Sequence, residues 1–239
     1  MVAIPEVQPN VFSQAIRAFW DTRVAQAEAQ RLKGVIDSGN RGAATGGQHL
    51  NGFLRTIVDH VIGAGVLESD IFLKGTVLPG YFRPTKVWDL VVVSNKTLIA
   101  AIELKSQVGP SFGNNFNNRT EEALGNAVDI WTAFREGAFG ASPQPWLGYL
   151  FILEDSPKSH TPVRVNEPHF PAFDEFRHAS YAKRYELLCR RLVLERQYTA
   201  TSLLLTKRDH VNEQVNYTEP AEDLSGSKFL GQLLRHVAR

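Results

Sequence analysis

Residues 86–105 are KVWDLVVVSNKTLIAAIELK, a segment that predicts two apolar β-strands joined by a short polar turn. The strands are predicted over Val87–Val93 and Thr97–Leu104, with the turn at 94–96. An acid, Asp89, lies near the start of the first strand, and an acid-x-lysine triplet ends the second. Charged groups in apolar strands are costly unless they are paired, hydrogen-bonded or bound to a metal. The segment therefore predicts the centre of a sheet and a candidate site together.

The three charged groups of this hairpin are expected to converge. Glu103 and Lys105 are two residues apart, so they face the same side of a strand. In an antiparallel hairpin Asp89 falls roughly opposite Ile102 or Glu103. Two close carboxylates repel by several kcal/mol, and a bound divalent cation removes that cost. Hard oxygen ligands favour Mg²⁺, for which the Leu104 carbonyl is a possible further ligand.

Lys105 then has a chemical role beside the predicted metal. It can orient a metal-bound water, help to deprotonate it, or neutralise charge on a pentacovalent phosphate. The implied reaction is in-line attack of water on a phosphodiester, with no side-chain nucleophile. The alternative is structural, since an acid and a lysine two apart on one strand commonly form a solvated ion pair.

Composition and charge limit the class of protein. The chain has 239 residues, 43% apolar residues and a net charge of +1, which argues for a folded protein and against a general polycation. One nuclease domain is predicted, with an N-terminal helical extension (1–47), a catalytic core (48–154) and a C-terminal helical elaboration (155–239). The single cysteine, Cys189, excludes an internal disulfide or a cysteine-rich zinc site. With no membrane-length apolar run and no signal pattern in 1–10, a cytoplasmic location is expected.

The order of predicted elements favours an α/β core whose sheet has mixed strand directions. Single strands are predicted at Ile71–Leu78, at Trp146–Leu153 and at Ala200–Thr206, and the segments 38–48, 106–118 and 156–171 are predicted to be loops. Helices are predicted over 10–36, 48–62, 119–136, 174–195 and 224–237.

The polar segment Ser111–Arg119, directly after the second strand, is the candidate DNA-reading loop. Arginine pairs bidentately with guanine and asparagine with adenine. The candidate reading residues are Asn114, Asn115, Asn117, Asn118 and Arg119. The alternative is a turn-rich loop whose asparagines bond to their own backbone.

Three other features each have a surface or structural interpretation beside a functional one. Asp59 on the second helix is a possible further acid near the metal, although a surface acid is the simpler interpretation. The basic helix around 183–196 either faces phosphates or is solvated. The seven histidines lack metal-ligand spacing and are interpreted as structural or surface residues.

Asp89, thirteen intervening residues and Glu103-Leu104-Lys105 together match the motif of the PD-(D/E)xK nuclease superfamily, with Trp88 where a proline is usual. The stretch ELKSQVGPSFGNNFNNRTEEALGNAVD (103–129) more closely resembles the XhoI-type restriction endonucleases. That resemblance implies a PD-(D/E)xK restriction-endonuclease-like core with helical additions at both ends. It also implies a Mg²⁺-dependent homodimer that cuts the palindrome CTCGAG in double-stranded DNA to leave 5′ overhangs, paired with a cognate DNA methyltransferase.

Two other functions stay open from the residues alone. One is a repair or recombination nuclease on the same core, which would recognise a junction or an end. The other is a non-catalytic DNA-binding module with a degenerate site, for which the intact Asp89, Glu103 and Lys105 are hard to explain.

Overall fold

The computed structural model describes residues 5–32, 48–208 and 217–238. The helices are α1 (Ser13–Leu32), α2 (Asn51–Gly63), α3 (Gly113–Arg135), α4 (Pro157–His160), α5 (Tyr181–Leu194) and α6 (Gly226–Val237). The strands are β1 (Ile71–Phe72), β2 (Val77–Pro79), β3 (Thr85–Val87), β4 (Leu90–Ser94), β5 (Thr97–Gln107), β6 (Trp146–Glu154), β7 (Ala200–Thr206) and β8 (Tyr217–Thr218). No helix within these described ranges is long and apolar enough to cross a membrane.

Six strands form one mixed sheet in the order β1-β4-β5-β6-β7-β8. The central strands β5, β6 and β7 run parallel, whereas β4 pairs antiparallel with β5. The two remaining strands, β2 and β3, form a separate antiparallel hairpin. This mixed α/β arrangement agrees with the predicted fold class.

Helices cover both faces of the sheet, as its buried central strands require. One face packs against α1, α2 and α6, and Phe53 and Phe229 lie in that core together with Leu104 of β5. The other face packs against α3 and α5, where Tyr185 lies in the same core as Tyr149 of β6. Because side chains alternate along β5, Glu103 and Lys105 point to the α3 and α5 side.

A two-residue turn and a β-bulge together set the register of the β4–β5 hairpin. Ser94 pairs with Thr97, and the two residues between them, Asn95 and Lys96, have φ values of 49° and 63°. Positive φ at both central residues is typical of a type I′ turn, whose twist matches that of the strands it joins. A β-bulge between Val92 and Val93 then adds one residue on β5, so Leu90 lies opposite Ile102 rather than Ala101.

The strand predictions need two corrections. The predicted strand at 71–78 is instead two short strands in different sheets, since Gly75, with a φ of 67°, turns the chain between them. The predicted strand at 87–93 is also interrupted, because β3 ends at Val87 and β4 begins at Leu90. Asp89 lies in this interruption, so its carboxylate is at the end of the β4–β5 hairpin and not within the strand pairing.

The loop prediction over 106–118 is also wrong in part. Strand β5 continues to Gln107, and α3 begins at Gly113 rather than at Arg119. The prediction for 174–195 is wrong over its first part, because regular helix begins only at Tyr181. The predictions for residues 33–47 lie outside the described residues.

Candidate active site

Asp89 lies where the β4–β5 ladder opens. Its backbone N–H donates to the Ile102 carbonyl at 3.1 Å, which places it just beyond the Leu90–Ile102 pair. Its carboxylate Oδ2 accepts the Leu104 backbone N–H at 2.7 Å. The hydrogen bond satisfies a strand N–H that has no β4 partner at this level, and it fixes the carboxylate beside Glu103.

Glu103 is a buried carboxylate held by two lysines. Its Oε1 lies 2.5 Å from the Lys105 ammonium, and its Oε2 lies 2.5 Å from the Lys86 ammonium. Its side chain is 3% exposed. Burial of an ionised carboxylate is tolerated here because both oxygens have charged donors.

Burial and neighbouring charges shift the pKa values of Asp89 and Lys86. Burial raises the pKa of Asp89, as does the nearby Glu103, and these effects outweigh the Leu104 N–H and the lysines. Burial lowers the pKa of Lys86, and its contact with Glu103 offsets this only in part. Asp89 is therefore an acid that a cation would stabilise in its ionised form.

The donors present fit a hard divalent cation. Oδ1 of Asp89 accepts no hydrogen bond within the described residues, and Glu103 supplies a second carboxylate beside it. Within those same ranges, no group of three histidine, cysteine or acidic residues is placed to hold a metal ion. The protein thus offers two carboxylates, which leaves positions for water, for a backbone carbonyl such as that of Leu104, and for a phosphate, as Mg²⁺ prefers.

Lys86 is the site residue that sequence reasoning missed. The apolar run after it predicts one continuous strand that begins at Val87, so Lys86 falls outside the predicted strand and the predicted site. In the structure it lies on β3, two residues before the break, and its ammonium lies 4.3 Å from the centre of the buried Trp88 ring. No local pattern marked Lys86, because the continuous apolar sequence gives no sign of the break between β3 and β4.

The asparagine-rich segment is the start of a helix and not a loop. Phe112 stacks on Tyr181 at 5.9 Å, and Phe116 packs edge-on against Tyr185 at 5.1 Å. These aromatic contacts and Gln107, whose side chain bonds to the Ser111 carbonyl at 2.9 Å, tie this end of α3 to α5 and β5. Tertiary packing therefore outweighs the low helix propensity of asparagine.

The five candidate DNA-reading residues fall into two groups on α3. Asn114, Asn117 and Asn118 are exposed, and their spacing places them on one face of the helix. Asn115 instead donates to the Ser111 carbonyl at 2.7 Å, and Arg119 pairs with a glutamate one turn on at 2.6 Å. Among the described residues, the amides of the three exposed asparagines have no hydrogen-bond partner, and they share one helix face.

A cleft of ≈ 970 Å³ opens at the carboxyl ends of the parallel strands. Four cationic and two acidic side chains line it, so its charge is positive on balance. They are Arg23, Lys158, Lys207, Arg208, Glu154 and Asp155. Its wall at Val108–Pro110 directly follows the end of β5 at Gln107, and its lining does not include Asp89, Glu103 or Lys105.

The remaining candidates are structural in this fold. Asp59 is exposed on α2, which packs on the opposite face of the sheet from Glu103. In the basic helix, Lys183 and Arg190 both pair with Glu186, and Arg191 pairs with Glu175. Cys189 is fully buried in the core, as predicted. These observations favour a surface acid and a self-paired helix.

A mixed sheet with two acids and two lysines gathered at the end of its β4–β5 hairpin is the type of structure expected of a restriction endonuclease. The family model of the restriction endonuclease XhoI matches residues 29–219. The chain belongs to the XhoI restriction endonuclease family, which confirms the predicted resemblance and the enzyme class.

Curated relatives agree with this assignment. The type II restriction enzyme BstVI of Geobacillus stearothermophilus is 54% identical over 208 residues, covering 84% of this chain and 92% of that protein. The type II restriction enzyme XhoI of Xanthomonas vasicola is 47% identical over 183 residues, or 75% and 73% of the two chains. AbrI of Azospirillum brasilense, also a type II restriction enzyme, is 47% identical over 159 residues, or 66% and 71%. No solved structure matches the chain.

Proposed function

We propose that the protein hydrolyses phosphodiester bonds of double-stranded DNA at the palindrome CTCGAG, with Mg²⁺ and with 5′ overhangs as product. The observation that carries the chemistry is the convergence of Asp89, Glu103 and Lys105 at the open end of the β4–β5 hairpin. This arrangement supports the proposal of a PD-(D/E)xK catalytic site. The similarity to XhoI-type enzymes supports the target sequence and the cleavage pattern.

Each protein group has a role in this reaction. Asp89 and Glu103 hold the cation, and the Leu104 carbonyl is a candidate third protein ligand. When bound, Mg²⁺ supplies Lewis-acid activation of water and neutralises charge on the phosphate. Lys105, only partly buried, orients the attacking water and stabilises the added charge on phosphorus. One P–O bond forms to the water oxygen, which loses a proton, while the P–O bond to the leaving sugar oxygen breaks and that oxygen takes up a proton from solvent.

Duplex DNA is proposed to lie along the positive cleft and the exposed face of α3. Cations along the cleft suit phosphate contacts, which give affinity without sequence information. The free amides of Asn114, Asn117 and Asn118 suit base edges in the major groove, which admits an α-helix. A palindrome presents the same half-site twice, which supports a two-fold homodimer.

A cognate DNA methyltransferase is the proposed functional partner, because an enzyme that cuts a short palindrome would otherwise cut the DNA of its own cell. A cytoplasmic location gives both enzymes access to that DNA.

The proposal is tested by cleavage of a plasmid and of defined duplexes in Mg²⁺. We expect discrete fragments whose sequenced ends give the target and the cut position. Lys105→Ala is expected to lower the single-turnover rate about 10³-fold, since it removes a donor aimed at developing charge. Failure of the wild-type protein to cut any duplex, at any salt concentration, would contradict the proposal. Cutting confined to branched substrates would favour the repair nuclease instead.

DNA reading is tested by paired substitutions on α3. Asn114→Ala is expected to weaken binding to the cognate duplex about tenfold, as loss of one base contact costs roughly 1–3 kcal/mol. Asn115→Ala is the matched control, because that amide already bonds to Ser111. Fluorescence anisotropy in Ca²⁺, which suppresses cleavage, measures both. If the two substitutions changed DNA binding equally, the proposal that the exposed amides of α3 read the bases would be contradicted.

A further inference from the structure

Two lysines hold the two oxygens of a single buried carboxylate, and the sequence motif accounts for only one of them. Lys105 contacts Oε1 of Glu103 and Lys86 contacts Oε2, each at 2.5 Å. Each carboxylate oxygen has a second lone pair, but a cation bound there would lie close to the ammonium that already contacts the same oxygen, and the two positive charges repel. The question is which lysine gives way.

The surroundings of the two lysines differ. The Lys86 side chain is 10% exposed, and its ammonium contacts the Glu103 carboxylate, the Val87 carbonyl at 2.8 Å and the face of Trp88. An ammonium has three hydrogens, so these partners use its donating capacity. The Lys105 side chain is 24% exposed, and within the described residues its one ion pair is with Glu103. Lys105 is therefore the lysine that can move.

The position of Lys86 in the chain also makes it a fixed point. Its strand, β3, is held by pairing with Leu78 of β2. Three residues later the same segment delivers Asp89 to the site, after Trp88, whose N–H bonds to the Thr76 carbonyl at 3.0 Å. Lys86 and Asp89 are thus set by one short backbone segment, so the lysine places Glu103 relative to Asp89.

We propose that Lys86 is a positioning residue for the proposed reaction: it retains Oε2 of Glu103 while Oε1 passes from Lys105 to the cation. The inference rests on the proposed function. Lys86 keeps the second oxygen from chelating the cation and fixes the direction of the first. Lys105, released from Glu103, turns to the water and the scissile phosphate.

The sign of one binding measurement tests this role. A lysine that acted only through its charge would oppose a cation, so Lys86→Met would tighten cation binding. A positioning lysine gives the opposite result, because a misdirected carboxylate is a poorer ligand. We expect Lys86→Met to weaken Ca²⁺ binding about tenfold, measured by calorimetry on the full chain with cognate duplex present. Unchanged or tighter binding would overturn the inference.

Two further variants keep the test independent of folding. Lys86→Gln donates a hydrogen bond to Oε2 without charge, so it folds even if methionine is not tolerated, and we expect a weaker loss of the same sign. Tighter binding by this variant would also overturn the inference. Lys74→Met, an exposed lysine exchanged in the same way, is the matched control and leaves Ca²⁺ binding unchanged.

Kinetics give a second readout. Lys86→Met is expected to lower kcat about 10²-fold with KM unchanged, as loss of alignment does when DNA contacts are intact. A raised KM with unchanged kcat would mean a DNA contact instead and would contradict the role. Absence of Ca²⁺ binding by the wild-type protein would contradict the proposed function itself. Normal wild-type binding with an unaffected Lys86→Met variant would contradict only the role of Lys86.

Discussion

Asp129 and Asp89 both accept backbone N–H hydrogen bonds and lie near positively charged side chains, yet their pKa values shift in opposite directions. Asp129 on α3 accepts the Tyr81 and Phe82 N–H groups through Oδ1, at 2.7 and 2.8 Å, and the Arg83 guanidinium through Oδ2 at 2.6 Å. Its bonding is complete, and it fastens the loop between β2 and β3 to α3.

Asp89 is bonded much less completely. One of its oxygens accepts one N–H, and the neighbouring Glu103 is a second negative charge. Burial raises the pKa of Asp89, whereas at Asp129 three hydrogen bonds outweigh burial and lower the pKa. We infer that a buried acid with incomplete hydrogen bonding is a candidate metal ligand, whereas one with complete hydrogen bonding stabilises the fold.

Among the substitutions that test this difference, Asp89→Asn is expected to have the largest effect on activity. The amide oxygen still accepts the Leu104 N–H, so the fold is retained, while the charge that would hold a cation is lost. We expect cleavage to fall about 10³-fold in single-turnover assays. The free energy of unfolding in urea is expected to stay within about 1 kcal/mol of wild type. Activity within tenfold of wild type would show that Asp89 is not a ligand.

Asp129→Ala is expected to give the opposite outcome. It strands two backbone N–H groups and an arginine, and we expect it to cost about 2 kcal/mol of unfolding free energy. Arg83 is 43% exposed and regains water, which keeps the loss moderate. Urea unfolding measures the loss, and the cleavage rate per folded molecule is expected to stay within about threefold. A large loss of rate without a loss of stability would make Asp129 a functional acid.

The smallest effect is the pH dependence of stability that ionised Asp129 produces. Because the pKa of folded Asp129 lies below its ordinary value of 3.8, ionised Asp129 stabilises the fold above that pH. The contribution disappears as the pH falls through the lower, folded pKa. We therefore expect the stability difference between wild type and Asp129→Asn to narrow as the pH falls from 7 to 3. Urea midpoints along that series measure it, and a constant difference would contradict the assignment.

The hairpin with Asp89, Glu103 and Lys105 could be predicted from sequence because its determinants are local. Alternating side-chain direction and a short polar turn fix which residues face each other. The role of Lys86 could not be predicted in the same way. It depends on the interruption of strand structure between β3 and β4, which the continuous apolar sequence conceals.

The helical start of α3 was missed for a different physical reason. Asparagine has low helix propensity and is common in turns, so local rules favour a loop. The helix forms because Phe112 and Phe116 pack on the tyrosines of α5, which lies some 65 residues further along the chain. Contacts of this kind are set by the tertiary fold and leave no local pattern.

The two-residue turn at Asn95-Lys96 makes the chain intolerant of length changes far from any reacting atom. The side chains of β5 alternate between the core and the active site, so a deletion or insertion of one residue at the turn would shift the strand by one position. A deletion would put Leu104 in the place of Glu103 and an insertion would put Ile102 there, and in both cases the carboxylate would turn into the apolar layer beneath α2. Length variation in relatives is therefore expected in the loops that flank the hairpin and never within its turn.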